Sequence, residues 1–364
     1  MSAQSGEVAS SSSPGSQWSA RLPGVTLAVA IAVVATAFGR LVPIVGGPVT
    51  GIVIGVALAA WRRPGERFRP GITFSGKTVL QLSVVVLGSQ LSLSQIAKVG
   101  LDSLPVMLGT LAACLVAAYW IGRWLGLVGD LRTLIGVGTG ICGASAIAAV
   151  TPVIGAVGVD VAYAVSTIFL FNIAAVLLFP VIGHLLGMSQ HSFGLFAGTA
   201  INDTSSVVAA ATTYGHDALG FAVVVKLTRT LLIIPICLGL AAIAARRDRG
   251  TAATDSAVPA SVDGDTATSR PPRRVRVVGL IPTFLIGFLV VAAVNSAGLI
   301  PAGAHSGLNE ISVFLITVAL SAIGLSTDIA GLRRTGPRPL LLGASLWVVV
   351  AVTSLGLQYL TASL

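Results

Sequence analysis

Charged side chains are scarce in this chain. Only 10% of its 364 residues are Asp, Glu, Lys or Arg, whereas an average soluble domain carries about 25%. This composition excludes an ordinary cytosolic protein. Apolar residue types make up 54% of the chain, and they cluster in long runs, which is the pattern of membrane-spanning helices.

Cysteine and histidine are scarce as well. Cys114, Cys142 and Cys237 stand singly inside apolar runs, without a Cys-x-x-Cys spacing. The four histidines lie in or beside predicted loops, and no two have the spacing of metal ligands on a helix. Neither a disulfide framework nor a zinc site is indicated. We therefore expect no metal, no other cofactor and no catalytic residue.

Long apolar runs dominate what is present. A helix needs about 20 apolar residues to cross the hydrocarbon core of a bilayer, and eleven runs approach that length. They lie near 24–41, 46–60, 78–92, 104–122, 134–152, 160–183, 193–211, 219–244, 279–297, 310–328 and 339–361. The sequence predicts an all-α, multi-pass integral membrane protein with about eleven transmembrane helices.

Positive charges are distributed unevenly along the chain. If the N-terminus is cytoplasmic, 18 of the 22 Lys and Arg residues fall on the cytoplasmic side, and Arg40 and Lys98 fall outside. This arrangement satisfies the positive-inside rule with an external C-terminus. The bilayer surface thus accounts for the net charge of +9, and we expect no nucleic-acid partner.

Two polar segments stand apart from the apolar runs. Residues 1–20 are Ser-rich and lack an apolar pattern, which predicts a disordered tail. Residues 245–276 form a charged linker, predicted to be cytoplasmic. It interrupts a transmembrane domain that covers residues 21–364.

The stretch GVGTGICGASA, residues 136–146, has the G-x-G-x-x-G spacing of a dinucleotide-binding turn. A Rossmann turn needs a strand before it and a helix after it, and helix-length apolar runs lie on both sides instead. Two interpretations remain for a membrane protein. The glycines allow close helix packing, or they break the helix, so that free N–H groups and a half-helix dipole attract an anion. The density of glycine favours the broken helix.

The stretch GTAINDTSSVVAA, residues 198–210, places Asp203 among polar residues inside an apolar run. Lys226 and Arg229 follow on the next predicted helix. Each ionised residue in mid-membrane costs about 2.5–3.5 kcal/mol to insert, so such residues are hypotheses of a functional site. A structural ion pair is the alternative. Two cations and one carboxylate leave an excess of positive charge, which indicates an anionic substrate.

Two internal similarities bear on the architecture. Residues 87–100 resemble 323–336, and their opposite predicted directions indicate inverted repeats. Residues 138–149 resemble 198–209. With a single helix between them, these two segments are predicted to run in the same direction.

Four ordered motifs resemble the YeiH-type family of proposed sulfate exporters of the bacterial inner membrane. They are GTGICGASAIAAVTPVI, GTAINDTSSVVAAA, VVKLTRTLLIIP and ALSAIGLSTDIAGLRRTGPRPLLLG. The resemblance spans about residues 24–360. It implies a secondary transporter with one N-terminal helix, five-plus-five inverted repeats and broken helices near 138–146 and 318–328. It also implies a His-Asp pair and a Gln in the second motif, where this chain has Asn202, Asp203 and Ser206.

These observations predict a transporter rather than an enzyme. Its substrate is expected to be a small anion like sulfate, sulfite or a sulfonate, coupled to H⁺ or Na⁺ through Asp203. An anion channel and a membrane-embedded enzyme are the alternative functions. The sequence is also compatible with a homodimer. The predicted anion-binding residues are Gly138, Thr139, Gly140, Cys142, Gly143, Ser145, Asn202, Ser205, Ser206, Lys226 and Arg229.

Overall fold

The computed structural model is all-helical over the residues that it describes. These residues are 14–41, 46–62, 64–242, 283–301, 303–326 and 336–361. Seven helical segments within them are long and apolar enough to cross a membrane. The predicted all-α membrane protein is confirmed, whereas the predicted linker lies outside the described residues.

Two compact units make up the chain: residues 1–83 with 313–328, and residues 84–312 with 329–364. The core of the first unit includes Ala28, Ile72 and Val318. Its helices are α1 (Pro14–Leu41), α2 (Gly46–Trp61), α3 (Arg69–Phe74), a π-helical turn (Ser75–Val79) and the start of α4 (Leu80–Leu87).

Helix α1 begins inside the segment that was predicted to be a disordered tail, so that prediction is wrong for residues 14–20. Aromatic contacts extend the helix beyond its apolar run. Trp18 meets Phe74 edge-on, with 5.6 Å between the ring centroids, and the guanidinium of Arg21 lies over both rings. Residues 1–13 lie outside the described residues.

The helices after α4 position the candidate site. In chain order they are α5 (Leu93–Trp124), α6 (Gly129–Gly140), α7 (Ala144–Ile154), α8 (Gly158–Leu185), α9 (Gln190–Ala200), α10 (Thr204–Tyr214), α11 (His216–Leu231), α12 (Thr283–Ser296), α13 (Ala304–Leu325) and α14 (Pro337–Leu360). After a turn at Leu232, α11 continues to Ala242. The part of α13 from Val313 onward belongs to the first unit.

Contacts along α5 define two ends of the second unit. Near its start, Lys98 lines a cavity together with His191, and we call this the His191 end. Just beyond its last residue, Gly126 lies beside Arg338, at the start of α14. We call this the Trp124 end.

Helix α8 runs from the Trp124 end to the His191 end. It lies parallel to α14, because Thr167 is beside Gly343 and, farther along both helices, Phe179 stacks on Trp347. Its 28 residues extend ~42 Å at about 1.5 Å per residue, more than the ~30 Å of a hydrocarbon core. Helix α7, which immediately precedes α8, therefore ends at the Trp124 end.

Helices α9 and α10 form a re-entrant hairpin, which we call hairpin 2. Both of its outer ends lie at the His191 end, since Phe193 stacks on Tyr214 with 3.8 Å between centroids and the Tyr214 hydroxyl donates to Met188 O. Each arm has 11 residues, about 16 Å of helix. Its tip, residues 201–203 (tip 2), is therefore roughly halfway through a hydrocarbon core of ~30 Å.

Helices α6 and α7 form a second re-entrant hairpin, hairpin 1, which enters from the Trp124 end. Helix α6 starts shortly after α5 ends there, and α7 returns to the same end. The arms fold back on each other, because a Cβ at Gly138 would lie 3.0 Å from the Ile147 side chain. In a continuous helix those two residues would be about 13 Å apart along the axis. Its tip is residues 141–143 (tip 1).

The hairpins correct two sequence predictions. The runs at 134–152 and 193–211 turn back instead of crossing the membrane. The similar segments 138–149 and 198–209, which were predicted to run in the same direction, therefore lie in hairpins that enter from opposite ends. The interruption predicted near 138–146 is present, since α6 ends at Gly140 and α7 begins at Ala144. Gly143 has φ +72°, a backbone conformation that favours glycine.

The interruption predicted near 318–328 is not found up to Leu325. Helix α13 is continuous from Ala304 to Leu325. Its Gly324 packs closely on α2, because a Cβ there would lie 2.5 Å from Ile52 O. This glycine therefore serves close helix contact, and residues 327 and 328 lie outside the described residues.

Candidate functional site

The two hairpin tips meet each other. A Cβ at Gly143 in tip 1 would lie 3.5 Å from the Cβ of Asp203 in tip 2, which is van der Waals contact. Tip 1 comes from the glycine-rich motif and tip 2 from the polar motif. The fold thus brings the two motifs into one site, which lies roughly halfway between the Trp124 end and the His191 end.

Lys226 links the two tips from helix α11. It is fully buried, and its ammonium donates hydrogen bonds to Ile141 O at 2.9 Å and to Ile201 O at 2.7 Å. These carbonyls lie at the C-terminal ends of α6 and α9, where the helix dipole is negative and attracts a cation. Burial of an ammonium costs several kcal/mol, and the charge-assisted bonds to both tips offset part of that cost.

Arg229 lies about one turn farther along α11 and is also fully buried. Its Nε donates to Gly140 O at 2.8 Å, again at the C-terminal end of α6. Its Nη1 and Nη2 atoms are buried and have no hydrogen-bond partner among the described residues. A buried charged group without partners is costly, so an anion that accepted hydrogen bonds from these two nitrogens would be stabilised.

Asp203 is the N-cap residue of helix α10. Its Oδ2 accepts hydrogen bonds from the backbone N–H of Ser205, at 3.1 Å, and from the Ser205 hydroxyl. No salt bridge joins Asp203 to Lys226 or Arg229 in the described part of the chain. The alternative of a structural ion pair is therefore not observed, and the tips carry an excess of positive charge.

The N-terminus of α7 has no such cap. Its N-cap residue is Gly143, which has no side chain to accept a hydrogen bond. The first backbone N–H groups of α7 therefore lack the capping bond that Asp203 provides to α10. An uncapped helix N-terminus, with its positive dipole end, favours an anion.

Asn172 on α8 holds tip 2 in position. Its Oδ1 accepts hydrogen bonds from the backbone N–H groups of Asn202 and Asp203, each at 3.2 Å. Asn202 keeps a buried Oδ1 without a partner among the described residues. The sequence did not predict that Asn172 belongs to the site. The only indication in the sequence is that Asn172 is a single amide side chain in an otherwise apolar run.

The predicted anion-binding residues fall into three groups. Those that take part in tip contacts are Gly140, Gly143, Asn202, Ser205, Lys226 and Arg229. Cys142 is buried within tip 1, and Gly138, Thr139 and Ser206 are buried beside the tips. Ser145 differs from both groups, because its side chain is exposed.

Comparison with known proteins identifies the family. The family model described as conserved hypothetical protein 698 matches residues 23–343. A UPF0324 membrane protein of Streptococcus pyogenes serotype M3 is 41% identical over 342 residues, which cover 93% of this chain and 96% of the relative. The chain belongs to the UPF0324 family of membrane proteins. The YeiH-type resemblance is confirmed at this level.

Similar UPF0324 proteins occur in other bacteria. A relative from Streptococcus mutans serotype c is 39% identical over 348 residues, with 93% of this chain and 97% of the relative covered. One from Fusobacterium nucleatum is 37% identical over 358 residues, with the same coverage of 93% and 97%. The similarity therefore extends over nearly the whole of each relative.

Proposed function

We propose that this UPF0324 protein is a secondary transporter that moves a small anion of the sulfate, sulfite or sulfonate class by alternating access. The observation that carries the proposal is the pair of oppositely directed hairpins whose tips meet around two buried cations. Many transporters bind substrate near the bilayer midplane, between discontinuous helices of inverted topology. Movement of one hairpin would open the tips toward one side, and movement of the other would open them toward the opposite side.

An anionic substrate suits the unsatisfied donors at the tips. Arg229 Nη1 and Nη2 have no partner among the described residues, and the N-terminus of α7 has no side-chain cap. Oxyanions accept hydrogen bonds from guanidinium groups and from helix N-termini. We expect the substrate to accept from both.

The hairpins also revise the proposed topology. Without the two re-entrant segments, the eleven predicted runs give nine crossings, an odd number that still places the termini on opposite sides. Relative to the eleven-helix topology, only the loops 153–159 and 184–192 move to the opposite side of the membrane, and neither contains Lys or Arg. The positive-inside rule therefore still favours a cytoplasmic N-terminus, with the Trp124 end in the cytoplasm of a bacterial inner membrane. The five-plus-five repeat stays a prediction.

Anion flux in proteoliposomes tests the proposal. The purified protein is reconstituted, and uptake of labelled sulfate, sulfite and methanesulfonate is measured under an imposed H⁺ or Na⁺ gradient. We expect at least one of them to accumulate chemically unchanged, which distinguishes transport from an enzymatic reaction. No uptake of any of the three anions under either gradient would overturn the assignment.

Arg229→Gln tests the role of the guanidinium. A hydrogen bond to a charged group contributes about 1.5–3 kcal/mol, and 1.4 kcal/mol corresponds to about tenfold in affinity. We therefore expect the apparent affinity for the anion to fall at least tenfold. Arg123→Gln is the matched control, because it removes an exposed cation from the Trp124 end of α5 and should leave the affinity unchanged.

Asp203→Asn tests ion coupling, which we propose for Asp203. Asparagine is also a good N-cap residue, so the variant keeps the cap and loses only the titratable charge. We expect it to exchange labelled for unlabelled anion but no longer to accumulate anion in response to a gradient. Accumulation that still follows the gradient would exclude Asp203 as the coupling residue.

An anion channel is the alternative to a transporter. A channel would instead show single-channel currents and fluxes insensitive to the counter-ion gradient.

A further inference from the structure

A cavity opens at the His191 end, and none of the tip residues lines it. Its volume is about 560 Å³, within the usual range of small-molecule sites. The floor is apolar and includes the buried side chains of Leu87 and Val224. The rim is polar and carries the exposed side chains of Lys98, Asp102 and His191.

Other polar side chains of this cavity have structural partners. Gln190 Oε1 accepts from two backbone N–H groups in the first turn of α11, and His216 Nε2 contacts Asn309 Oδ1 at 3.0 Å. Lys98 and Asp102 differ, because their side chains take part in no hydrogen bond or salt bridge within the described residues. Both groups are available to a ligand.

The available groups define the chemistry of that ligand. Lys98 and Asp102 stand four positions apart on α5, where the Cβ atoms of a helix are about 5–6 Å apart. His191 completes the rim from α9, with its ring edge-on to Phe221 at 4.0 Å between centroids. A cation and a carboxylate side by side above an apolar floor match a molecule that carries both charges and an apolar end.

We propose that this cavity binds a zwitterionic small molecule with an apolar end. The anionic group of the ligand pairs with Lys98, its ammonium group pairs with Asp102, and its apolar end lies against Leu87 and Val224. The assignment gives a role to Lys98, which the positive-inside rule leaves unexplained. It does not rest on the proposed transport, because binding is measured without flux.

Calorimetric titration of the full chain in lipid nanodiscs tests the proposal with four probes. L-Leucine carries both charges and a branched apolar end. 4-Methylpentanoate lacks the ammonium group, 3-methylbutylamine lacks the carboxylate, and glycine lacks the apolar end. We expect leucine to bind at millimolar concentration or below. The two probes that lack one charge should bind about fivefold more weakly, as one partly exposed ion pair allows, and glycine should bind at least about tenfold more weakly because it lacks the apolar end.

Two charge-removing variants identify the contacts. Lys98→Gln should weaken leucine about fivefold and leave 3-methylbutylamine unchanged, and Asp102→Asn should weaken leucine and leave 4-methylpentanoate unchanged. Arg123→Gln on the same helix and Asp160→Asn at the start of α8 are the matched controls. Neither control residue lines the cavity, so both variants should bind leucine like the wild type.

Four results would overturn the proposal. If 4-methylpentanoate binds as tightly as leucine, the cavity is an anion site. If dihexanoyl phosphatidylethanolamine binds more tightly than leucine, the zwitterion is a lipid headgroup instead of a soluble molecule. Absence of leucine binding at millimolar concentration, or equal weakening by Lys98→Gln and its control, would show that Lys98 and Asp102 do not form a leucine-type site.

Discussion

Replacement of Lys226 by methionine tests whether this residue links the hairpin tips. Methionine is similar in length and unbranched, so the variant keeps the packing and removes the ammonium. Ile141 O and Ile201 O then lose their charge-assisted hydrogen bonds. Both carbonyls belong to buried residues, so little water is available to replace the lost donor.

The expected magnitude follows from the two contacts. Hydrogen bonds to a charged group contribute about 1.5–3 kcal/mol each, or roughly 3–6 kcal/mol for two. These net values already include the desolvation of the ammonium and of the carbonyl groups. We therefore expect the free energy of unfolding to fall by roughly 3–6 kcal/mol.

Two measurements check this prediction. Equilibrium unfolding in detergent micelles compares Lys226→Met with the control Lys98→Met, whose side chain is exposed and whose stability should match the wild type. Hydrogen exchange locates the effect: protection at 141–146 and at 201–206 should decrease together, while that of α8 stays unchanged. A variant as stable as the wild type, or a loss of protection at one tip alone, would refute the reasoning.

Three further substitutions test individual contacts by the same unfolding measurement. Gly143→Ala must adopt a φ of +72° with a ψ of −133°, a conformation that only glycine adopts readily, and we expect a loss of about 2–3 kcal/mol. Gly155→Ala should lose only about 1 kcal/mol, because its φ of +69° and ψ of +27° lie in the left-handed helical region and the space around it is open; equal losses would contradict this. Asn172→Leu removes two bonds to tip 2 and should lose about 2 kcal/mol, while Asn295→Leu removes one and should lose about half as much. Partial desolvation of the ring on the cavity rim lowers the pKa of His191, so the folded state should lose stability as the pH falls through the ordinary histidine value of about 6.5. His191→Asn should remove that part of the pH dependence. If the free energy of unfolding depends on pH in the same way in the variant and in the wild type, His191 is not its source.

The sequence located the two motifs but not their direction. An apolar run of about 20 residues has the right length either to cross a bilayer or to turn back halfway, and hydropathy is the same in both cases. The direction depends on the non-helical backbone at tip 1 and on contacts such as Phe193 with Tyr214. Such long-range contacts are not visible in a single sequence.

The two cations of the candidate site could be predicted from the sequence, but Asn172 and the hydrogen bonds of the site could not. Lys226 and Arg229 stood out because charge is rare in apolar runs, and the structure places both at the tips. Their hydrogen-bond acceptors are backbone carbonyls of Gly140, Ile141 and Ile201. Every residue has a carbonyl, so only the path of the chain shows which ones a cation reaches.

The position of a bound oxyanion tests the central claim most directly. Selenate is the heavier analogue of sulfate and gives an anomalous X-ray signal. In selenate-soaked crystals of the wild-type protein, we predict an anomalous peak within hydrogen-bond distance of Arg229 Nη1 or Nη2 and of the first N–H groups of α7. We predict its loss in crystals of Arg229→Gln. Selenate bound only elsewhere, or a peak that persists in the variant, would contradict the account.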